Sequence, residues 1–219
     1  MRLLLTVFAA LLPLPALAIS SCFQLADTGP PIINASLAPD EVQITFVGHA
    51  SFRITTPEGV SAVTDFSGRW GAGGVPDIVT MNKAHSTHWT ANPDPRIPHV
   101  LPGWDDEDPF GADHWLEVGD MLVRNVPTDI RRWGAPEPNA NSIFIFEVGD
   151  LCIAHVGHLH HLPTDEHYGR IGRIDVLMVP VDGGYTMNQA AMADVVRRLR
   201  ARIVIPMHWF GQANLDRFL

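Results

Sequence analysis

The order of short apolar runs is what most restricts the folds open to this chain. VQITFV (Val42 to Val47) and SFRITT (Ser51 to Thr56) are β-rich and separated by Gly48-His49-Ala50, and Pro57-Glu58-Gly59 turns the chain into VSAVTDF, Val60 to Phe66. These three read as successive antiparallel strands. DIVTM (Asp77 to Met81) is a further short strand. HWLEV, MLVRNV, SIFIFEV and LCIAHV follow, the last two joined at Gly149-Asp150 in the manner of a two-residue hairpin. Thr164 begins a short helix. IDVLMVP (Ile174 to Pro180) is apolar throughout, as a strand covered on both faces must be. Thr186-Met187-Asn188-Gln189 has the capping-box pattern. It leads into an apolar stripe at helical spacing, Ala190, Ala191, Met192, Val195, Val196 and Leu199, that ends in Arg197, Arg198, Arg200 and Arg202 where a helix is negative. RIVIPMHW is the last strand. A meander, then mixed strands, then strand-helix-strand predicts an α/β (α+β) fold of two packed sheets flanked by helices. Ala91 to Phe110, rich in proline and acidic residues, reads as one long loop.

The 219 residues suffice for one generous domain, and no linker-like stretch divides them. A formal charge of -9, from 15 Lys and Arg against 24 Asp and Glu, disfavours nucleic acid as a partner. The N-terminal MRLLLTVFAALLPLPALAISSC has one basic residue, an apolar run broken by Pro13 and Pro15, and small residues at Ala16 and Ala18. This predicts a signal peptide over residues 1–18, an extended lead-in over 19–40, a domain over 41–219, and a periplasmic or secreted product. The alternative is lipid anchoring, because Ile19-Ser20-Ser21-Cys22 resembles a lipobox; otherwise no membrane contact is expected. Only Cys22 and Cys152 are present. In an oxidising compartment they could pair, or Cys152 could be a buried free thiol.

Four of the 11 histidines, His155, His158, His160 and His161, crowd into CIAHVGHLHH directly after a strand. His85 and His88 also follow a strand, DIVTM, and His208 ends IVIPM. Loops at strand ends can converge at one rim of a sheet sandwich, which is how a metal site is assembled from distant residues. His99, His114 and His167 read as ordinary core or surface residues.

GHASFRI…TDF, DIVTM with its histidine loop, NSIFIFEVGDLCIAHVG, IDVLMVPVDGGYT and IVIPMHW together resemble the metallo-β-lactamase fold superfamily. The similarity, over about Val42 to Phe210, is to its ascorbate-6-phosphate-lactonase-like branch of metal-dependent hydrolases. The resemblance implies a four-layer αβ/βα sandwich with a metal site at one edge. It also implies attack of metal-bound hydroxide on a lactone, ester or related bond of a small-molecule substrate.

The metal motif departs from the family. His-x-His-x-Asp-His falls on Lys83-Ala84-His85-Ser86-Thr87-His88, so one ligand His is Lys83 and the metal-binding Asp is Thr87. A further family His has no counterpart, Asp129 being the nearest candidate, and the bridging Asp falls on His158 of Gly157-His158. His208 and Asp65 are retained. The resemblance thus implies one ion, zinc first, on His88, His158 and His208, with His85 alone at the compromised first position. Lys83, as an oxyanion partner, Asp65 and His49 are the catalytic candidates. His155 could hydrogen-bond behind the ligands. His160 and His161 are either acid-base groups or plain loop residues. The glycines of Asp182 to Thr186 either bring backbone to the site or simply turn the chain, and Trp89, Trp209 and Phe210 are either an apolar wall or core. The alternative function is a metal- or ligand-binding protein without catalysis, which Thr87 favours.

Overall fold

The structure, a computed structural model, describes residue 22, residues 41–132 and residues 134–219. The expected signal peptide and, apart from Cys22, the lead-in lie outside the described residues. Among the described residues eleven strands form two sheets. The first has the order β1 (Gln43–Gly48), β2 (Ser51–Thr55), β3 (Ser61–Val63), β4 (Ile78–Met81), β5 (His99–Pro102). The second runs β11 (Ile203–Met207), β10 (Val176–Pro180), β9 (Leu151–His155), β8 (Ala135–Val148), β7 (Met121–Arg132), β6 (Trp115–Val118). The helices are α1 (Asp165–Ile171), α2 (Gln189–Leu199) and α3 (Gln212–Phe218).

The first three strands pair antiparallel, as their turn residues require, while β4 and β5 join parallel. In the second sheet β6 to β9 form an antiparallel meander, and β10 and β11 add in parallel through α1 and α2 respectively. Period-two alternation sorts the first sheet's side chains. Phe52, Ile54, Ala62 and Ile78 face the core between the sheets, whereas Val63, Val79 and Met81 face a second apolar cluster with Phe66 and Ile97. Trp70, Trp89 and Trp104 pack on that second cluster, so irregular chain covers the first sheet's outer face. The second sheet is buried on both sides through β8 and β10, whose central residues are uniformly buried.

Four features differ from the sequence expectation. β5 lies inside the expected loop; its HVLP run is short and begins after Pro98, and its Pro102 is admissible because it ends an edge strand. β7 and β8 extend well past their apolar cores. From Asn125 onward β7 has no β6 partner, which makes Pro127 tolerable there. α2 is capped by Asn188, whose side chain accepts from Ala191 N, and not by Thr186, whose hydroxyl donates to Asp182. α3 was not anticipated.

Two tethers fix the second sheet to its cover. Arg124 donates to Glu147 Oε1 at 2.7 Å and to the carbonyls of Arg170 and Ile171 at 2.7 and 2.8 Å, satisfying the C-terminal end of α1. Cys22 is disulfide-bonded to Cys152 of β9, both fully buried, and the Cys22 carbonyl accepts from Arg173 N.

Candidate metal centre

Every group at the site leaves the C-terminal end of a strand. His49 follows β1, Asp65 follows β3, His85 and His88 follow β4, His158 follows β9, Asp182 follows β10 and His208 follows β11. Within each sheet these strands run the same way, so their C-terminal ends share one rim. The two sheets are laced together there by His208 N donating to the His49 carbonyl at 3.0 Å. Among the described residues five non-glycines have positive φ, and three are His49 (54°), Asp65 (43°) and His208 (54°). Left-handed backbone costs a non-glycine residue about 1–3 kcal/mol. The chain accepts that strain where it aims these side chains.

Five imidazoles meet. The ring centroids of His85, His88, His158 and His208 lie 4.5–5.8 Å apart, and the His49 ring lies tilted against His208 at 4.0 Å. One ring nitrogen from each of His49, His85, His88 and His208 falls within 4.8 Å of the others. Buried Nε2 atoms of His49, His88 and His208 have no hydrogen-bond partner. Three orphaned imidazole nitrogens on rings that converge in one place fit a cation that accepts nitrogen ligands.

Carboxylates back two of these rings. Asp65, fully buried, takes His88 Nδ1 at 2.5 Å on one oxygen and Asn82 Nδ2 at 2.9 Å on the other. Burial works to raise its pKa, but the charges of His88 and His155 and the two hydrogen bonds hold it below the ordinary value. Asn82 cannot turn, because its Oδ1 accepts from Ser142 N at 2.7 Å. Asp182 Oδ1 lies 3.1 Å from His208 Nδ1, off the line of a hydrogen bond. Its Oδ2 accepts the amides of Gly184, Tyr185 and Thr186, and Thr186 Oγ1 donates to Oδ1. Against the effect of burial, these bonds and His208 keep it ionised.

A second set of rings forms a chain. His160 Nδ1 meets Arg131 N at 2.6 Å, His160 Nε2 meets His158 Nδ1 at 2.6 Å, His158 Nε2 meets His85 Nε2 at 3.0 Å, and His85 Nδ1 meets Thr87 Oγ1 at 2.8 Å. Burial, then the neighbouring rings, pulls His49 and His85 down to about 4; burial, then Arg131, does the same to His160. His158 is pushed well below its ordinary value by burial and then by His88 and His160. His49, His85, His158 and His160 are therefore neutral near pH 7, the form of imidazole that binds metal.

His49, Asp65, His85, His88, His158 and His208 are thus brought together, and Lys83 is placed differently. Its ammonium is neutralised by Asp106 and, at 3.0 Å, by Glu137, which makes it a poor oxyanion partner. Asp129 serves Asn139 N. His155 is held by the Ala50 carbonyl at 2.7 Å and lies 4.0 Å from Asp65. His114 bonds the Pro102 carbonyl, and His167 closes the N-terminal cap of α1. Trp89 and Trp209 pack against Trp104 and Phe46. Phe210, 62% exposed, stands beside His49 and His208, with Tyr185 against it. Sequence reasoning missed Asp182, Asn82 and Asn141, whose Oδ1 accepts His158 N. The available signal for Asp182 was a carboxylate directly after a strand buried on both faces. Gly157 permits this packing: a Cβ there would lie 2.3 Å from Asn82 Nδ2 and 2.4 Å from Asn141 Oδ1.

Residues 43–208 match the family described as a beta-lactamase superfamily domain. A UPF0173 protein of Pyrococcus furiosus is 30% identical over 105 residues, covering 47% of this chain. The chain spans less than half the length of that relative, 46%. A UPF0173 metal-dependent hydrolase of Pyrococcus horikoshii is 24% identical over 194 residues, 77% of this chain and 84% of its own. Among solved structures, a candidate Zn-dependent hydrolase of the metallo-beta-lactamase superfamily from Thermotoga maritima superposes with a TM-score of 0.61 at 27% identity, covering 82% of this chain and 85% of that one.

Proposed function

This chain belongs to the beta-lactamase superfamily, and from that membership we propose that it is a metal-dependent hydrolase acting on an ester, lactone or related bond of a small molecule. The observation that carries the reading is the set of buried, unpartnered Nε2 atoms on His49, His88 and His208, with Asp65 and Asp182 behind two of them. The names of the P. horikoshii and T. maritima proteins support it. Zinc is the proposed ion and one the proposed number, because an imidazole-only donor set suits zinc. When bound, the ion supplies Lewis acidity and activates water. The protein's share is orientation. Asp65 holds the proton of His88 on Nδ1 and keeps Nε2 bare, and the half-buried rings of His49 and His85 stand beside it.

We also propose export, supported by the leader-like first 18 residues and by the Cys22–Cys152 bond. A sulfur bonded to Cys152 is closed to lipidation. Expressed in a bacterium, the mature chain should begin at Ile19 in the periplasm; a diacylglycerol mass on Cys22 would overturn this. For the hydrolase reading, elemental analysis of protein grown in zinc should give one equivalent. A panel of esters and lactones should show turnover lost on chelation and restored by metal. No bound metal would overturn the reading; bound metal with no turnover across the panel would leave a metal-binding protein instead.

A further inference from the structure

A neutral imidazole has one proton and two nitrogens, and its hydrogen bonds decide which nitrogen keeps a free lone pair. A backbone amide only donates, so Arg131 N, 2.6 Å from His160 Nδ1, makes that nitrogen an acceptor. The His160 proton then sits on Nε2 and is given to His158 Nδ1. The His158 proton sits on Nε2 and is given to His85 Nε2. The His85 proton sits on Nδ1 and is given to Thr87 Oγ1. One amide therefore orders three rings, and neither nitrogen of His158 is left for a ligand. The rings outside this chain are the ones with orphaned nitrogens. Asp65 takes the His88 proton at Nδ1, Asp182 faces His208 Nδ1, and the Nε2 atoms of His88, His208 and His49 are buried and unpartnered. One ring nitrogen from each of His49, His85, His88 and His208, but none from His158, lies within 4.8 Å of the others, and of these four His85 has both nitrogens engaged, Nε2 by His158 and Nδ1 by Thr87.

We infer that the ion is held by His49, His88 and His208, and that His160, His158 and His85 form a hydrogen-bonded relay beside it in which His158 is a positioning residue. This departs from the His88, His158 and His208 set that the sequence resemblance implies. It rests on the hydrolase reading only in requiring that a metal binds.

The test uses the full mature chain and zinc alone, titrated against a chromogenic chelator. His49→Asn removes the imidazole while tolerating the left-handed backbone at φ 54°; it should weaken zinc by more than about 100-fold, beyond the 10- to 100-fold of an outer-sphere loss. His158→Ala should change affinity by less than about 10-fold, at or below the low end of that range. The inference is overturned if His158→Ala releases zinc while His49→Asn keeps it, or if wild type binds none, which alone also sinks the hydrolase reading. Long-range 15N–1H spectra of metal-free wild type give a readout that needs no variant to fold. His158 and His160 should carry their protons on Nε2 and His88 on Nδ1; a proton on His158 Nδ1 overturns the relay.

Discussion

Replacing Asp65 by Asn removes one charge and almost no volume, which makes it a clean probe of how the fold prepares His88. Both neighbours of the carboxylate donate: Asn82 Nδ2 at 2.9 Å and His88 Nδ1 at 2.5 Å. An amide in that place has one acceptor and one donor. If its NH2 faces Asn82, two N–H groups collide, and Asn82 cannot reverse while its Oδ1 holds Ser142 N at 2.7 Å. The cheaper arrangement sets the new NH2 against His88, which must then accept on Nδ1 and carry its proton on Nε2, the nitrogen the proposed site needs bare. Losing a buried hydrogen bond to a charged group should lower metal-free stability by roughly 1.5–3 kcal/mol. Zinc affinity should fall by about 100-fold, the upper end for a carboxylate behind a ligating histidine, or about 2.8 kcal/mol. Urea denaturation of the metal-free protein and chelator competition measure the two effects separately. A variant that is destabilised yet binds zinc within twofold of wild type would refute the orienting role and leave Asp65 a purely structural group.

Gly157→Ala should destabilise by about 3 kcal/mol or more, since its Cβ would enter two fixed amides and its φ is 62°; an unchanged urea midpoint would contradict the packing described. Acid should unfold the metal-free protein early. His49, His85 and His160 lie at about 4 in the fold against 6.5 unperturbed, so the unfolded chain binds more protons between those values and stability falls as pH drops through that window. Asp65, depressed in the fold, contributes stability that is present above its ordinary 3.8 and lost below it. Melting temperatures at pH 7, 6 and 5 should decline, and a flat series would count against neutral buried rings. Phe210→Ala should raise KM several-fold for esters with apolar groups while metal content stays at one, because its exposed ring borders His49 and His208; equal KM values would remove it from substrate binding.

Strands whose side chains alternate or are uniformly apolar were legible, because burial itself writes the pattern: β2, β4, β9 and β10 stand where their residues put them. Ala135 to Ala140 could not be read that way. Ala140 alone of these six is buried, and the extended state of Ala135, Pro136 and Glu137 comes from pairing with β7, a contact no local window contains. The cap of α2 failed for a different reason. Thr186 and Asn188 are both competent caps, and the choice fell to Asn188 because Asp182, four residues before Thr186, had engaged its hydroxyl and its amide.

The site divides along the same line. Histidines just after strands are a sequence property, and parallel strands within each sheet carry their C-terminal ends to one rim, so gathering His85, His88, His158 and His208 needed only the fold. Which of their nitrogens is free is settled instead by single donors and acceptors far off in the chain. Arg131 N acts on His160 from 29 residues away, and Asp65 acts on His88 from 23. A motif compares residue types position by position and is blind to a proton's place on a ring. That is why His158 could stand at a ligand position while its two nitrogens are engaged by His160 and His85. It is also why His49 escaped as a ligand. Its ring arrives through a strained hairpin at φ 54°, laced by its carbonyl to His208 N, and only the closed pair of sheets sets that ring beside those of His88 and His208.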